Sequence, residues 1–177
     1  MDELTELALA ARRAVPGALE EFIRGSYEPV WHLCQSLVDR QSADDLTQET
    51  FVRAVRAVRR FRGDASGRTW VLAIARHTCL DELRARTRSR RRTAIALAGT
   101  TPAAPPDPAE EVGARDLLAQ LDVDRRAAFT LTQLLGLSYA EAADVCGCPI
   151  GTIRSRVARA RDELIELLGG ALPLAEG

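Results

Sequence analysis

The sequence predicts an all-α fold: two small helical domains joined by a flexible linker. Three observations carry this. Strand signals are nearly absent, with little apolar/polar alternation, only 5% aromatic residues and much Ala, Leu, Arg and Glu. Apolar residues instead recur at helical spacings. Between them, residues 100–108 read Thr-Thr-Pro-Ala-Ala-Pro-Pro-Asp-Pro, and closely spaced prolines cannot continue a helix and favour extended chain. The expected division is 1–92 for the first domain, 93–112 for the linker and 113–177 for the second domain. A chain of 177 residues with 46% apolar composition can fill such cores.

In the first domain, a helix is expected from about Pro16 to Val38, with apolar faces from Phe22, Ile23, Val30, Leu33, Leu37 and Val38. Pro29 would kink or split it. A second helix is expected to start after Ser42, where Ser42 and Asp45 form a Ser-x-x-Asp start and Asp44 and Asp45 suit the positive helix N-terminus. It should end near Arg60. A loop with two glycines follows, Phe61 to Arg68, then a long helix from about Thr69 to Arg92 whose last turns are almost pure Arg.

In the second domain, short helices are expected near 110–121, 124–135, 139–145 and 149–168. Gly136 terminates one, Ser138 and Glu141 make a capping box for the next, Gly147 supplies a sharp turn, and Pro149 sits at or beside the first position of the last.

The net charge of −1 is no signature of nucleic-acid binding. The average hides a split. Phe51 to Arg92 holds thirteen Arg against three acids, whereas Met1 to Thr50 holds four Arg against ten acids. A second basic block, Arg125 to Arg161, has six Arg opposed by Glu141 and Asp144. A polyanion responds to local potential rather than to net charge, and the acidic first segment would suit a basic protein surface. All 24 basic residues are Arg; coding bias accounts for this, but Arg also brings planar bidentate donors for phosphates and guanine edges.

Other classes lack support. Cys146-Gly147-Cys148 invites a metal reading, but a closed zinc site needs about four ligands and no nearby His or Cys pair completes one. Small turn residues are the plainer explanation of that tripeptide, and neither a metal nor a cofactor is expected. There is no phosphate loop and no His-Cys-carboxylate cluster, so an enzyme is not expected. No signal peptide opens the chain and no apolar run is long enough to span a bilayer, so a reduced cytoplasmic protein without membrane association is expected.

Ser138 to Leu168 carries the most specific signal. A short helix, a Gly turn and an amphipathic helix make a helix-turn-helix. Ile153, Val157, Ala160, Leu164 and Leu168 should face the core. The opposite side carries Gly151, Ser155 and Ala158, flanked by Arg154, Arg156, Arg159 and Arg161. Small side chains let a helix sit deep in a major groove while flanking Arg reach bases or phosphates. Arg154, Ser155 and Arg159 are the expected base contacts; Arg156 and Arg161 lie nearer the core edge and suit phosphates. The competing reading is a solvated Arg face on a bundle helix.

At these residues a family resemblance emerges. Ala43-Asp44-Asp45-Leu46-Thr47-Gln48-Glu49-Thr50-Phe51 closely resembles the region 2.2 signature of the sigma-70 family. Thr69 to Arg76 is similar to region 2.3–2.4 of its extracytoplasmic-function branch, and Gly151 to Arg161 resembles that branch's region 4.2 recognition helix. Leu131 to Asp162 looks particularly like the sigma-C subgroup. The resemblance covers almost the whole chain, in order. It implies a sigma-2 and a sigma-4 domain without catalytic activity. Such a subunit binds core RNA polymerase through the β′ clamp helices and the β flap, and directs it to the −10 and −35 elements of promoter DNA. A stand-alone helix-turn-helix regulator is the alternative.

The resemblance assigns Asp44, Asp45, Gln48, Glu49 and Val52 to the clamp helices. Projected at about 100° per residue, Asp45, Gln48, Glu49, Val52 and Arg56 do share one face, with Leu46, Thr50, Phe51, Ala54, Val55 and Val58 on the other; an ordinary solvated face would look the same. The −10 element falls to Arg62, Asp64, Ser66, Arg68, His77 and Arg84, with Gly63 and Gly67 letting backbone approach a base held outside the stack. His77 stands where many members carry a base-contacting Asn. Trp70 could stack on a base, but a Trp there is more often core. Arg84, Arg86, Arg88, Arg90, Arg91 and Arg92 would hold phosphates upstream, and Asp107, Glu110 and Glu111 of the linker could mimic RNA charge. The −35 element falls to Arg154, Ser155, Arg156, Ala158, Arg159 and Arg161. An anti-sigma partner is common in the family, though no segment identifies one here; the free chain is expected to be a monomer.

Overall fold

The computed structural model describes residues 2–96 and 113–171. It contains eight α-helices: α1 Glu3–Arg12, α2 Ala18–Leu37, α3 Arg40–Ala57, α4 Gly67–Ala96, α5 Ala114–Gln120, α6 Val123–Phe129, α7 Tyr139–Cys146 and α8 Ile150–Ala171, with no strand among the described residues. The first four form the first domain and the last four the second. Residues 97–112 of the expected linker lie outside the described residues, and α4 continues past Arg92 to Ala96.

Helix α1 was not expected from the sequence. Asp2 caps it, its carboxylate accepting from the Thr5 amide at 3.0 Å, and acidic Glu3 and Glu6 occupy its first turn. The cap also docks the helix. The Thr5 hydroxyl donates to Asp2 at 2.7 Å and accepts from the Gly67 amide at 2.7 Å. A Cβ on Gly67 would lie 2.5 Å from the Leu4 carbonyl oxygen, so only glycine admits this approach.

Helix α2 runs unbroken through Pro29 and buries Phe22, Val30, Leu33 and Leu37. Helix α3 begins earlier than expected: Asp39, not Ser42, is its cap, and the Asp39 carboxylate accepts from the Ser42 amide at 3.0 Å. Against these pack Val71, Leu72, Ala75 and Cys79 of α4. Each large aliphatic or aromatic side chain so buried contributes about 1.5–3 kcal/mol relative to exposure. The buried hydroxyls of Thr47 and Thr50 donate to the carbonyls of Ala43 and Leu46 at 2.8 and 2.7 Å, so neither is left unsatisfied.

In the second domain, helix α6 widens at Thr130–Leu134 into a π-turn and stops at Gly136, whose φ is +69°. Ser138 caps α7 in a full capping box: its hydroxyl accepts from the Glu141 amide at 3.2 Å, and Glu141 accepts from the Ser138 amide at 2.8 Å. Gly147, with φ of +62°, closes α7 and turns the chain into α8. Ile153, Val157 and Ala160 of α8 are buried as expected, but Leu168 is 48% exposed. Ile165 is likewise exposed, at 66%, because the far end of α8 extends beyond the other described helices of its domain.

The domains are packed together. One buried cluster runs from Phe22 and Leu33 through Val71 and Leu72 to Leu131, Val145 and Ile153. Helix α7 lies along α4, and α5 and α6 lie against α2. Arg76 of α4, only 7% exposed, donates to Asp124 of α6 at 2.6 Å and to the Cys146 carbonyl at 3.4 Å. Arg126 of α6 donates to the Ser36 carbonyl near the C-terminus of α2 at 3.3 Å, a favourable place for a cation.

Candidate functional site

The candidate residues fall into three groups, on α3, at the start of α4 and on α8. On α3 the exposed strip contains Asp44, Asp45, Gln48 and Val52, with Glu49 half-buried beside it. Val55, expected on the inner face, is 41% exposed and extends this strip next to Val52 at 43%. The error comes from the breadth of the inner arc: Phe51, Ala54 and Val58 fill the contact with α2 and α4, leaving Val55 outside it. Tyr27 of α2 adds a further exposed apolar surface, its ring stacked on Phe51 with centroids 6.0 Å apart. Sequence periodicity of α3 alone could not have found Tyr27, which comes from another helix. Asp44 accepts from the Trp31 indole at 2.8 Å. Glu49 accepts from Arg53 at 2.8 Å, and Arg53 also donates to Asp81 of α4 at 2.8 Å. The Arg53 guanidinium holds the Asp81 carboxyl below its usual range.

The second group surrounds a cavity of about 410 Å3 between the loop and α4, lined by Phe61, Arg62, Gly63, Asp64 and Trp70, with Asp144 of α7 at its edge. Gly63 adopts φ of +81°, which shapes the loop. Trp70 is half-buried, with its ring 5.0 Å from Phe61 and 5.8 Å from Phe22, so it is core on one side and cavity wall on the other. Arg62 and Asp64 are exposed. Ser66 is employed as the cap of α4, accepting from the Thr69 amide at 3.0 Å. Gly67 is buried under Leu4 and Thr5, so its missing side chain serves the docking of α1 rather than the approach of a base. Arg68 turns toward the second domain and donates to the Leu135 carbonyl at 2.6 Å. His77 and Arg84 are exposed further along α4, at a second cavity that Arg88 and Arg91 also line. Arg86 is engaged locally: its guanidinium donates to Glu82 at 2.7 Å, to Asp39 at 2.5 Å and to the Ser42 hydroxyl.

The third group is the outer face of α8. Arg154, Ser155, Ala158, Arg159 and Arg161 are exposed, in the order the helix-turn-helix requires. Arg161 donates to Gln133 at 2.6 Å. Arg156 differs from its neighbours: it is half-buried, donates to Asp124 at 2.7 Å and touches the Cys148 sulfur at 3.6 Å. Asp124 thus joins Arg156 of α8 to Arg76 of α4. Cys146 is buried and Cys148 is half-buried against the core. Burial pushes the Cys146 thiol up to about 11, and no group of three potential metal ligands occurs among the described residues. No described helix is long and apolar enough to cross a membrane.

Comparison with known proteins adds independent findings. Residues 22–89 match the family model "Sigma-70 region 2", and residues 113–164 match "Sigma-70, region 4". The chain is 51% identical over 171 residues to the ECF RNA polymerase sigma factor SigC of Mycobacterium tuberculosis, covering 93% of this chain and 90% of that protein. Among solved structures it is similar to CnrH in complex with the cytosolic domain of CnrY, with a TM-score of 0.72 at 26% identity, covering 96% of this chain and 99% of that one. It is also similar to the sigma factor RpoE of Bartonella quintana in complex with the anti-sigma factor NepR, with a TM-score of 0.66 at 30% identity, covering 85% of this chain and 96% of that one.

Proposed function

The chain belongs to the extracytoplasmic-function sigma factors and directs RNA polymerase to promoters by binding the core enzyme and the −10 and −35 elements, and from this premise we propose how its three groups divide that work. The strip of Asp44, Asp45, Gln48, Glu49 and Val52, extended by Val55 and Tyr27, takes the β′ clamp helices. Its mix of acids, an amide and apolar side chains suits a basic, partly apolar partner. Arg62, Asp64, Ser66, Arg68, His77 and Arg84 serve the −10 element, with a displaced base seated in the cavity beside Trp70. The face of Arg154, Ser155, Arg156, Ala158, Arg159 and Arg161 enters the major groove at −35. The chain supplies binding and no catalysis of its own, and it works where polymerase and chromosome meet, in the cytoplasm. The RpoE relative was solved with an anti-sigma factor, which supports a regulator of that class for this chain.

The observation that carries this reading is the outer face of α8: Arg154, Ser155, Ala158 and Arg159 stand exposed behind a full capping box and a left-handed Gly147. A stand-alone regulator would need only that second domain and would leave Asp44 to Phe51 without a role. Run-off transcription with core polymerase on genomic fragments tests it. Defined start sites that depend on the added chain are expected; strong duplex binding with no start-site selection contradicts the assignment.

The packing of the domains bears on how the −10 group is reached. Arg68 is spent on the Leu135 carbonyl and Asp144 stands at the edge of the loop cavity. Freeing Arg68 and the cavity edge for the −10 element moves the second domain away from α4 and breaks the contact of Asp124 with Arg76, while the Asp124–Arg156 contact, within the second domain, persists.

A further inference from the structure

Arg86 stands in an arginine-rich stretch that reads, by charge alone, as a set of phosphate contacts. Its surroundings say otherwise. Nε donates to Glu82 at 2.7 Å on its own helix, one terminal nitrogen donates to Asp39 at 2.5 Å, and the other donates to the Ser42 hydroxyl. Every guanidinium nitrogen is occupied by protein. Asp39 and Ser42 are not arbitrary acceptors. Asp39 is the cap of α3, its carboxylate already accepting from the Ser42 amide at 3.0 Å and the Ser42 hydroxyl at 2.9 Å. Arg86 therefore grips the cap itself. One turn beyond that cap lie Asp44 and Asp45. A second tie of the same kind joins the far half of α3 to α4, where Arg53 holds Glu49 and Asp81 at 2.8 Å each.

From this geometry we infer that Arg86 is a positioning residue that locks the cap of the polymerase-facing helix α3 to the DNA-facing helix α4. The first turn of a helix frays unless its amides are satisfied. A frayed turn would carry Asp44 and Asp45 out of register with any partner. Ordering them before encounter lowers the entropic cost of docking. The lock also fixes α3 relative to α4, so that polymerase docking and −10 engagement share one rigid frame. The arrangement explains why one arginine of the run faces inward: it contributes to polymerase binding through Asp39, not to DNA binding through phosphate. The Asp39 carboxylate responds accordingly, held down to about 2 by Arg86 first and by Ser42 in support.

The inference rests on the assignment of α3 to the polymerase, so the test carries its own control. Full-length variants are titrated against core polymerase, and each holoenzyme is titrated against promoter DNA over a range of salt. The control, Asp45→Arg with Glu49→Arg, should abolish most core binding; unchanged affinity overturns the α3 assignment and this inference with it. Given a working control, Arg86→Ala should weaken core binding about fivefold, the scale of a lost cap. Asp39→Asn keeps a capping side chain but loses the charge, and should weaken core binding to a similar or smaller degree. The double variant should be no weaker than Arg86→Ala, because the two residues act as a unit. Arg86→Lys, which can reach only part of the acceptor set, should fall between wild type and Arg86→Ala. The salt slope of promoter binding should stay unchanged. A core affinity within twofold of wild type overturns the inference, even if the melting temperature drops, because Arg86 would then be structural only. A fall of about 0.9 in the salt slope also overturns it, because Arg86 would then be a phosphate contact. If Arg86→Ala loses helicity by circular dichroism, Arg86→Lys and Asp39→Asn are read by the same criteria.

Discussion

Helices α4 and α8 are both arginine-rich, but they hold their arginines in opposite conditions. Helix α8 leaves Arg154 and Arg159 in solvent and ties down Arg156, through Asp124, and Arg161, through Gln133. Helix α4 turns Arg68 and Arg76 against the second domain and closes Arg86 on the cap of α3. Charge along a sequence measures how much potential a helix can offer, whereas tertiary partners decide how much of it remains for DNA. In the closed chain Arg154 and Arg159, proposed for −35, stand free, whereas in the group proposed for −10 Arg68 is engaged by the second domain and Arg62, Asp64, His77 and Arg84 remain exposed.

The sharpest way to break this comparison is at Asp124. Removing its carboxylate in Asp124→Ala leaves Arg76 buried without its ion-pair partner, a loss of about 2–3 kcal/mol. The domains should separate to solvate it. Small-angle scattering should show a larger radius of gyration, and the free chain should gain affinity for single-stranded −10 DNA. An unchanged radius with unchanged affinity would mean that the apolar contacts of α7 with α4 hold the domains closed without Asp124.

A second comparison pairs Arg154 with Arg68. Arg154→Ala should cost the holoenzyme about 1–3 kcal/mol and relax selectivity at one −35 base, read by binding to single-base variants of the site. Arg68→Ala should leave the closed chain's duplex binding untouched. A uniform loss across sequences for Arg154→Ala would move it to phosphate contact. A smaller effect is expected at the base of the helix-turn-helix. Ser138→Ala removes half of the capping box and should cost about 1 kcal/mol in thermal unfolding, without changing which base is selected.

The smallest effect is a pH dependence. The Asp39 carboxyl titrates at about 2 in the fold, against about 3.9 for an unperturbed Asp. Its contribution is complete above the unfolded value and is lost as pH falls from about 4 toward 2. The Asp39→Asn variant should lack that part of the acid-induced loss, and equal acid profiles by circular dichroism would remove Asp39 from the account.

The parts legible in the sequence were those governed by local chemistry. Ser138, Glu141, Gly147 and Pro149 announce the helix-turn-helix because caps and left-handed turns are decided within a few residues. The cap of α3 was less legible, because Asp39 and Ser42 are both capping types and only the third dimension, through Arg86, distinguishes them. Helix α1 carried local signals in Asp2, Glu3 and Glu6, but its place depends on Gly67, which lies far along the chain and shows no sign in sequence of the backbone it must admit. The partners that Arg156 and Arg68 find within the chain, Asp124 and the Leu135 carbonyl, were not legible, because they come from elements that sequence periodicity cannot dock. Val55 fell on the wrong side of α3 for the same reason: the width of a buried arc is set by the helices that cover it.

On the proposed division of work, the free chain holds Arg68 and the edge of the loop cavity against its second domain and releases them on polymerase. Fluorophores at exposed positions 89 and 162, on α4 and α8, measure this directly by energy transfer in the full-length chain. High transfer is expected in the free chain and a marked fall when core polymerase is added; the same transfer before and after would contradict an opening of the domains on polymerase.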